Sequence, residues 1–177
     1  IAGSLLLLLL FLLVRHLLDS SPAPAPRAAG EGLVIPENAG EAGFGFLEGC
    51  WQSGGGIVNQ KTQLPVVYVH CFGPDGTAQV TIDQKTGDGL HLDTCVSTAA
   101  ASVEGGVLYI RGHPSGHVCV NNPEETYGPT TVVCRGGGEG GRADCVIEGS
   151  TVRPIDTPFT RLPGGYRPGG SSLREGQ

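Results

Sequence analysis

The sequence has no methionine, one tryptophan and only 6 % aromatic residues. A core drawn from this stock is small and aliphatic, with Trp51 as its one very large anchor. Basic residues are few: 11 Lys and Arg against 17 Asp and Glu, a net charge of -6, scattered without a stripe. No phosphate-neutralising face is available, so nucleic acid is not an expected partner. No helical period runs through the region from Phe44 to Pro163, which leaves strands as its regular structure. Also missing are a Gly-x-Ser-x-Gly elbow and any Cys-x-x-Cys pair. Position 1 is Ile and Met is absent throughout, which reads as a C-terminal piece of a longer protein or a processed product.

What is abundant is Gly, at 30 of 177 residues, with 13 Pro. This points to many turns and irregular ends. The run Ile1 to Val14 carries no charge and includes six consecutive Leu. At helical rise it covers roughly 21 Å, short of the roughly 30 Å hydrocarbon core. Residues 1–18 are read as a truncated membrane anchor, with a signal-peptide core or a buried helix as the other readings. Residues 19–43, rich in Pro, Ala, Gly and Glu, read as a linker, and 164–177 as a disordered tail. Between them, 44–163 form one domain able to bury roughly two thirds of its unfolded surface.

Six cysteines, Cys50, Cys71, Cys95, Cys119, Cys134 and Cys145, all follow the apolar run. An even set beyond a membrane segment reads as a disulfide framework in an oxidising compartment. Cys134 and Cys145 flank the Gly-rich loop 135–142, where a hairpin would set them opposite each other; Cys95 with Cys119 is a second candidate pair. The expected location is the periplasm or extracellular space, anchored at the inner membrane. Arg15 and His16 lie on the domain side of the run, which the positive-inside rule disfavours.

The domain reads as short alternating segments joined by turns. Leu64–Phe72 and Ala78–Asp83 form a hairpin about Gly73-Pro74-Asp75-Gly76. Thr86–Gly89 is the next turn, followed by Leu90–Ser97, with His91, Asp93 and Cys95 on one face and Leu90, Leu92 and Val96 on the other. Gly105-Gly106 separates Ala101–Glu104 from Val107–Arg111. His117–Asn121, Thr130–Arg135, Ala143–Glu148 and Phe159–Leu162 complete eight or nine strands. Sequential antiparallel strands favour an all-β, up-and-down barrel, because closure removes exposed edges.

The run Leu47-Glu48-Gly49-Cys50-Trp51 resembles the Gly-x-Trp signature on the first strand of lipocalin-like, or calycin, barrels. The resemblance covers about Gly43 to Pro163. It implies that Trp51 closes the base of the barrel behind Gly49 and that a late basic residue, here Arg161, lies across it. Lipocalins carry fewer cysteines and a helix after the barrel; neither holds here, so an open cup and a narrow, side-chain-filled barrel both stay open. The wider layout, a Leu-rich helix, a Pro-rich linker and a Cys-rich segment, resembles the C-terminal region of SrfA-like virulence-associated bacterial proteins.

Metal chemistry has three candidate places: His91, Asp93 and Cys95, then His117 with Cys119, then His70 beside Cys71. The spacings lack the tight pairs of a structural zinc site, so no metal and no cofactor is expected. His113 and His117 read as a solvated turn, and Glu124-Glu125 as a solvated loop. The Gly-rich run 136–141 lacks the Lys-Ser/Thr ending of a phosphate loop and reads as a hairpin tip. The resulting expectation is a non-catalytic, membrane-anchored binding or interaction module of a larger bacterial envelope protein, taking an unknown protein or a small apolar ligand. The alternatives are a secreted-type β-barrel inhibitor of a protease or lysozyme, then a small-molecule-binding lipocalin-like carrier or an enzyme.

Overall fold

The computed structural model describes residues 30–60, 63–85, 91–119, 127–138, 141–164 and 166, with Lys85 and residues 91–93 described by their backbone alone. The anchor at 1–18, the linker up to 29, the turn at 86–89, Glu124-Glu125 and the tail beyond 166 lie outside the described residues. No helix among the described residues is long and apolar enough to cross a membrane.

Among the described residues one short helix, α1 (Ala39–Ala42), precedes ten strands: β1 (Gly49–Ser53), β2 (Val66–Phe72), β3 (Thr77–Lys85), β4 (His91–Glu104), β5 (Val107–Gly112), β6 (Val118–Cys119), β7 (Thr130–Arg135), β8 (Asp144–Gly149), β9 (Val152–Asp156) and β10 (Phe159–Arg161). They form one antiparallel sheet in the order β10-β1-β2-β3-β4-β5-β7-β8-β9, with β6 paired to β4. This is an up-and-down meander that curls into a half-barrel, a shape consistent with a calycin-type fold.

The turns explain the order. Gly73-Pro74-Asp75-Gly76 reverses the chain between β2 and β3. The Asp75 carboxylate accepts from the Thr77 N–H at 3.0 Å and its hydroxyl at 2.7 Å. Those bonds hold the carboxyl below its ordinary range. Gly105 and Gly106, at φ +58° and +80°, make the two-residue loop that joins β4 to β5, with Glu104 opposite Val107. Two segments that read as separate strands, Leu90–Ser97 and Ala101–Glu104, belong to one 14-residue strand. The small residues Ala99, Ala100 and Ala101 carry no break signal, and the ladder runs through them. β5 and β6 lie end to end along the same edge of β4. β9 is an addition to the strands expected: Val152-Arg153-Pro154-Ile155-Asp156 lacks alternation, and Pro154 suits the edge position it takes.

The core sits inside the curl. Val66, Tyr68, His70 and Phe72 of β2 and Ala78, Val80, Ile82 and Gln84 of β3 are all buried at period two. Leu108 and Ile110 of β5, Val132 of β7 and Ile147 of β8 are each at most 1 % exposed. Leu33 and Ala39, within the stretch read as linker, are also buried, at 1 % and 2 %. The backbone ahead of α1 is bound into the sheet. Gly30 N–H donates to Arg161 O at 2.8 Å, Arg161 N–H to Glu31 O at 2.9 Å and Leu33 N–H to Phe159 O at 3.0 Å. Ala143 N–H then donates to Leu33 O at 2.7 Å, so this segment bridges β10 to the residue before β8. At the far end of the seam, Gln60 N–H reaches Thr151 O at 3.0 Å. A Pro- and Gly-rich context hides Leu33 in the sequence; its burial depends on β10, at the other end of the domain.

Candidate functional site

Trp51, Gly49 and Arg161 meet at one end of the curl. Gly49 has φ +107°, and a Cβ there would lie 2.7 Å from the Arg161 guanidinium. Only glycine allows both that backbone and that approach. Trp51, 2 % exposed, points inward and donates from its indole N–H to Leu47 O at 2.6 Å. Arg161 stands opposite Trp51 in the β1–β10 register, with its guanidinium carbon 5.2 Å from the ring centroid. It also donates to Glu48 O.

From Trp51 a series of rings runs along the interior. Phe159 stacks on Trp51 at 5.8 Å with the planes 1° apart. His70 lies 5.5 Å from Phe159, Tyr68 lies 6.5 Å from His70, and His117 meets Tyr68 edge-on at 6.1 Å. Each of these five residues is at most 2 % exposed. The series begins apolar and ends polar. Near Tyr68 and His117, the Tyr127 O–H donates to Gln84 Oε1, which also accepts from Asn59 Nδ2 at 3.5 Å. The Tyr68 hydroxyl, His70 Nδ1 and both nitrogens of His117 are buried without a hydrogen-bond partner among the described residues. Buried polar atoms of this kind are uncommon and expensive.

Burial pushes the His70 ring down to about 3, helped by repulsion from His117. Burial also pushes His117 down to about 4, against a smaller upward pull from the backbone of Tyr127 and Gly128. Both rings are therefore neutral at pH 7. Burial raises the Tyr68 hydroxyl, with Tyr127 adding to it. Ser53 of β1 has its hydroxyl engaged with the Tyr68 backbone, accepting from N–H at 3.2 Å and donating to O at 3.1 Å.

His117 corrects the sequence reading. His113 is exposed in a turn, with Nδ1 2.5 Å from Ser115 Oγ, but His117 is 0 % exposed. Gly116, at φ +72°, packs directly on the Tyr127 carbonyl, and His117 N–H donates to that carbonyl at 2.9 Å. This turns the ring inward. His70 stands out in the sequence only as a neighbour of Cys71. It shares a strand face with Val66, Tyr68 and Phe72, but Val67 and Val69 make the other face as apolar, so the curl of the sheet and not the pattern places it inside. No group of three or more His, Cys, Asp or Glu among the described residues is arranged to hold a metal ion.

The six cysteines form three bridges, each between directly opposed residues of neighbouring strands: Cys50–Cys71, Cys95–Cys119 and Cys134–Cys145. The latter two are the pairs read from the sequence. Two wider depressions lie outside the ring series. A groove of about 880 Å³ opens on the outer side of β2, β3 and β4 and the turn after β5, where Cys71, Thr77, Gln79, Thr98 and Ala100 line it. A second, of about 960 Å³, lies at the seam between Arg142–Cys145 and Asp156–Pro158. No family model, curated protein or solved structure matches the chain.

Proposed function

We propose that this chain is the extracytoplasmic binding module of a membrane-anchored bacterial envelope protein, built on a lipocalin-like barrel and working by non-covalent contact with a protein partner. The observation that carries this reading is the placement of space. The interior is occupied by the ring series from Trp51 to His117, whereas the broad groove lined by Thr77, Thr98 and Ala100 lies on the outer side of the sheet. Contact on the outside suits a protein surface better than a small apolar ligand in a cup. Three disulfides support an oxidising compartment. The residues at 1–18 supply the anchor in this reading; the secreted-type barrel-inhibitor reading makes the partner a hydrolase that takes up a loop or the N-terminal segment.

A photo-crosslinking residue at Thr98 in the groove, compared with one at the exposed Glu148 of β8, tests it in intact cells. A discrete protein adduct from position 98 alone is expected. Adducts from neither position, or equally from both, would count against the groove as the contact surface. Saturable quenching of Trp51 fluorescence by an apolar ligand would instead favour the carrier reading.

A further inference from the structure

The three bridges are alike in register and differ in the face they occupy. Cys95, Cys119, Cys134 and Cys145 are 0–4 % exposed and point into the core. Cys50 and Cys71 alternate with the buried Trp51, His70 and Phe72, so their bridge stands on the outer face and is partly exposed. Its two sulfurs are not equivalent. Cys71 lines the open groove of about 880 Å³, while Cys50 Sγ faces the returning C-terminal segment, 4.0 Å from Tyr166 O.

We propose that Cys50–Cys71 is a thiol–disulfide exchange site, a covalent activity beyond the non-covalent contact proposed above and independent of it, and that a dithiol protein attacks it at Cys71 through the same groove. Exchange requires a thiolate to reach one sulfur of the bond it breaks. The other two bridges are buried more deeply: Cys95, Cys119 and Cys134 are at most 2 % exposed, and Cys145, although it borders the seam depression, is 4 % exposed. Tyr166 screens Cys50. In the first step the partner thiolate bonds to Cys71 Sγ, the Cys50–Cys71 bond breaks, and the electron pair leaves on Cys50 as a thiolate. In the second, the partner's other thiolate attacks the partner sulfur of the mixed disulfide and releases Cys71 as a thiolate. The bridge has gained two electrons and, after protonation, two protons; the partner dithiol has become a disulfide. Gln79, exposed and opposite Cys71 in the ladder, is the one long side chain beside the sulfur on β3. Thr77, Thr98 and Ala100 on β3 and β4 are small, and the larger Arg111, His113 and Pro114 line the groove on the β5 side. Opening the bridge removes the covalent link between β1 and β2 one residue from Trp51, while the backbone ladder that pairs the two strands does not depend on it.

The full chain, exposed to limiting dithiothreitol and then to a reduced thioredoxin-type dithiol protein, is alkylated at intervals and mapped by peptide. Cys50 and Cys71 are expected to label together and first, at least about tenfold faster than any other cysteine, as access dictates. Labelling of another pair first, or of all six together, overturns the proposal. A dithiol protein lacking its resolving cysteine should be trapped on Cys71; trapping on Cys50 overturns the assigned direction. The double variant Cys50→Ser/Cys71→Ser should take up no label under the same conditions. Rapid labelling of the core cysteines in it would show that the fold opens rather than the bridge, which also overturns the proposal.

Discussion

The two ends of the ring series solve the same packing problem with different chemistry. At the Trp51 end the polar groups that touch the ring are engaged: the indole N–H on Leu47 O, and the Arg161 guanidinium on Glu48 O and over the indole face. At the His117 end the rings are as deeply buried, yet the Tyr68 hydroxyl and three imidazole nitrogens of His70 and His117 find no partner among the described residues. The first end gains from apolar burial and a bonded indole. The second carries a standing desolvation cost that ties stability to pH. Rigidity and sensitivity are thus assigned to opposite ends of one core.

Several measurements would break or sharpen that contrast. Trp51→Ala removes the largest buried side chain and should cost about 3–5 kcal/mol in equilibrium unfolding, with little change in its pH dependence. A loss below about 1 kcal/mol would show that Trp51 does not anchor its end. The opposite end should respond to acid. Both histidines have folded values, about 3 for His70 and about 4 for His117, below the unfolded value near 6.5. The unfolded chain therefore binds more protons below about pH 6.5. Stability is complete above that pH and falls as pH drops toward the folded values. At pH 5 the loss is on the order of 2 kcal/mol for each histidine. His70→Phe and His117→Phe should each flatten the slope between pH 7 and 5; an unchanged slope in both would remove the cause assigned to it.

The Cys134–Cys145 disulfide comes next. Cys134→Ser/Cys145→Ser opens a link with a sequence separation of 11, and chain entropy sets its loss at about 3 kcal/mol, read as a lower denaturant midpoint. A smaller effect is expected at Gly49→Ala, where φ +107° and the Arg161 contact both resist a Cβ. About 2 kcal/mol is the expected loss. Arg161→Gln should cost about 1 kcal/mol, because the guanidinium is partly open to water. If Gly49→Ala and Arg161→Gln proved fully additive, their contact would carry no coupling energy.

The parts legible in the sequence are those governed by neighbours in the chain. The Gly73–Gly76 turn, the Gly105-Gly106 loop and β7 at Thr130–Arg135 follow from turn chemistry and alternation within a few residues. The contact of Arg161 with Trp51 spans the domain, and only the Gly-x-Trp resemblance points to it, since no local pattern does. β9 escapes a sequence reading because its exposed Arg153 and Pro154 carry no core face to read. The loop between β1 and β2 hides the opposition of Cys50 and Cys71, whereas a short Gly-rich tip announces Cys134–Cys145.

By itself the sequence determined where the strands turn, which residues share a side of each strand, and that the six cysteines form a framework. A strand's period of two sorts its side chains into two sets, but does not say which set faces inward. Only the curl of the sheet decided that. It put Cys95, Cys119, Cys134 and Cys145 inside and left Cys50–Cys71 on the outer face. It turned His117 inward against Tyr68, and it drew Leu33 from a Pro-rich segment into the seam. Those outcomes depend on partners distant in the chain, whose approach is set by the summed twist and packing of the whole sheet.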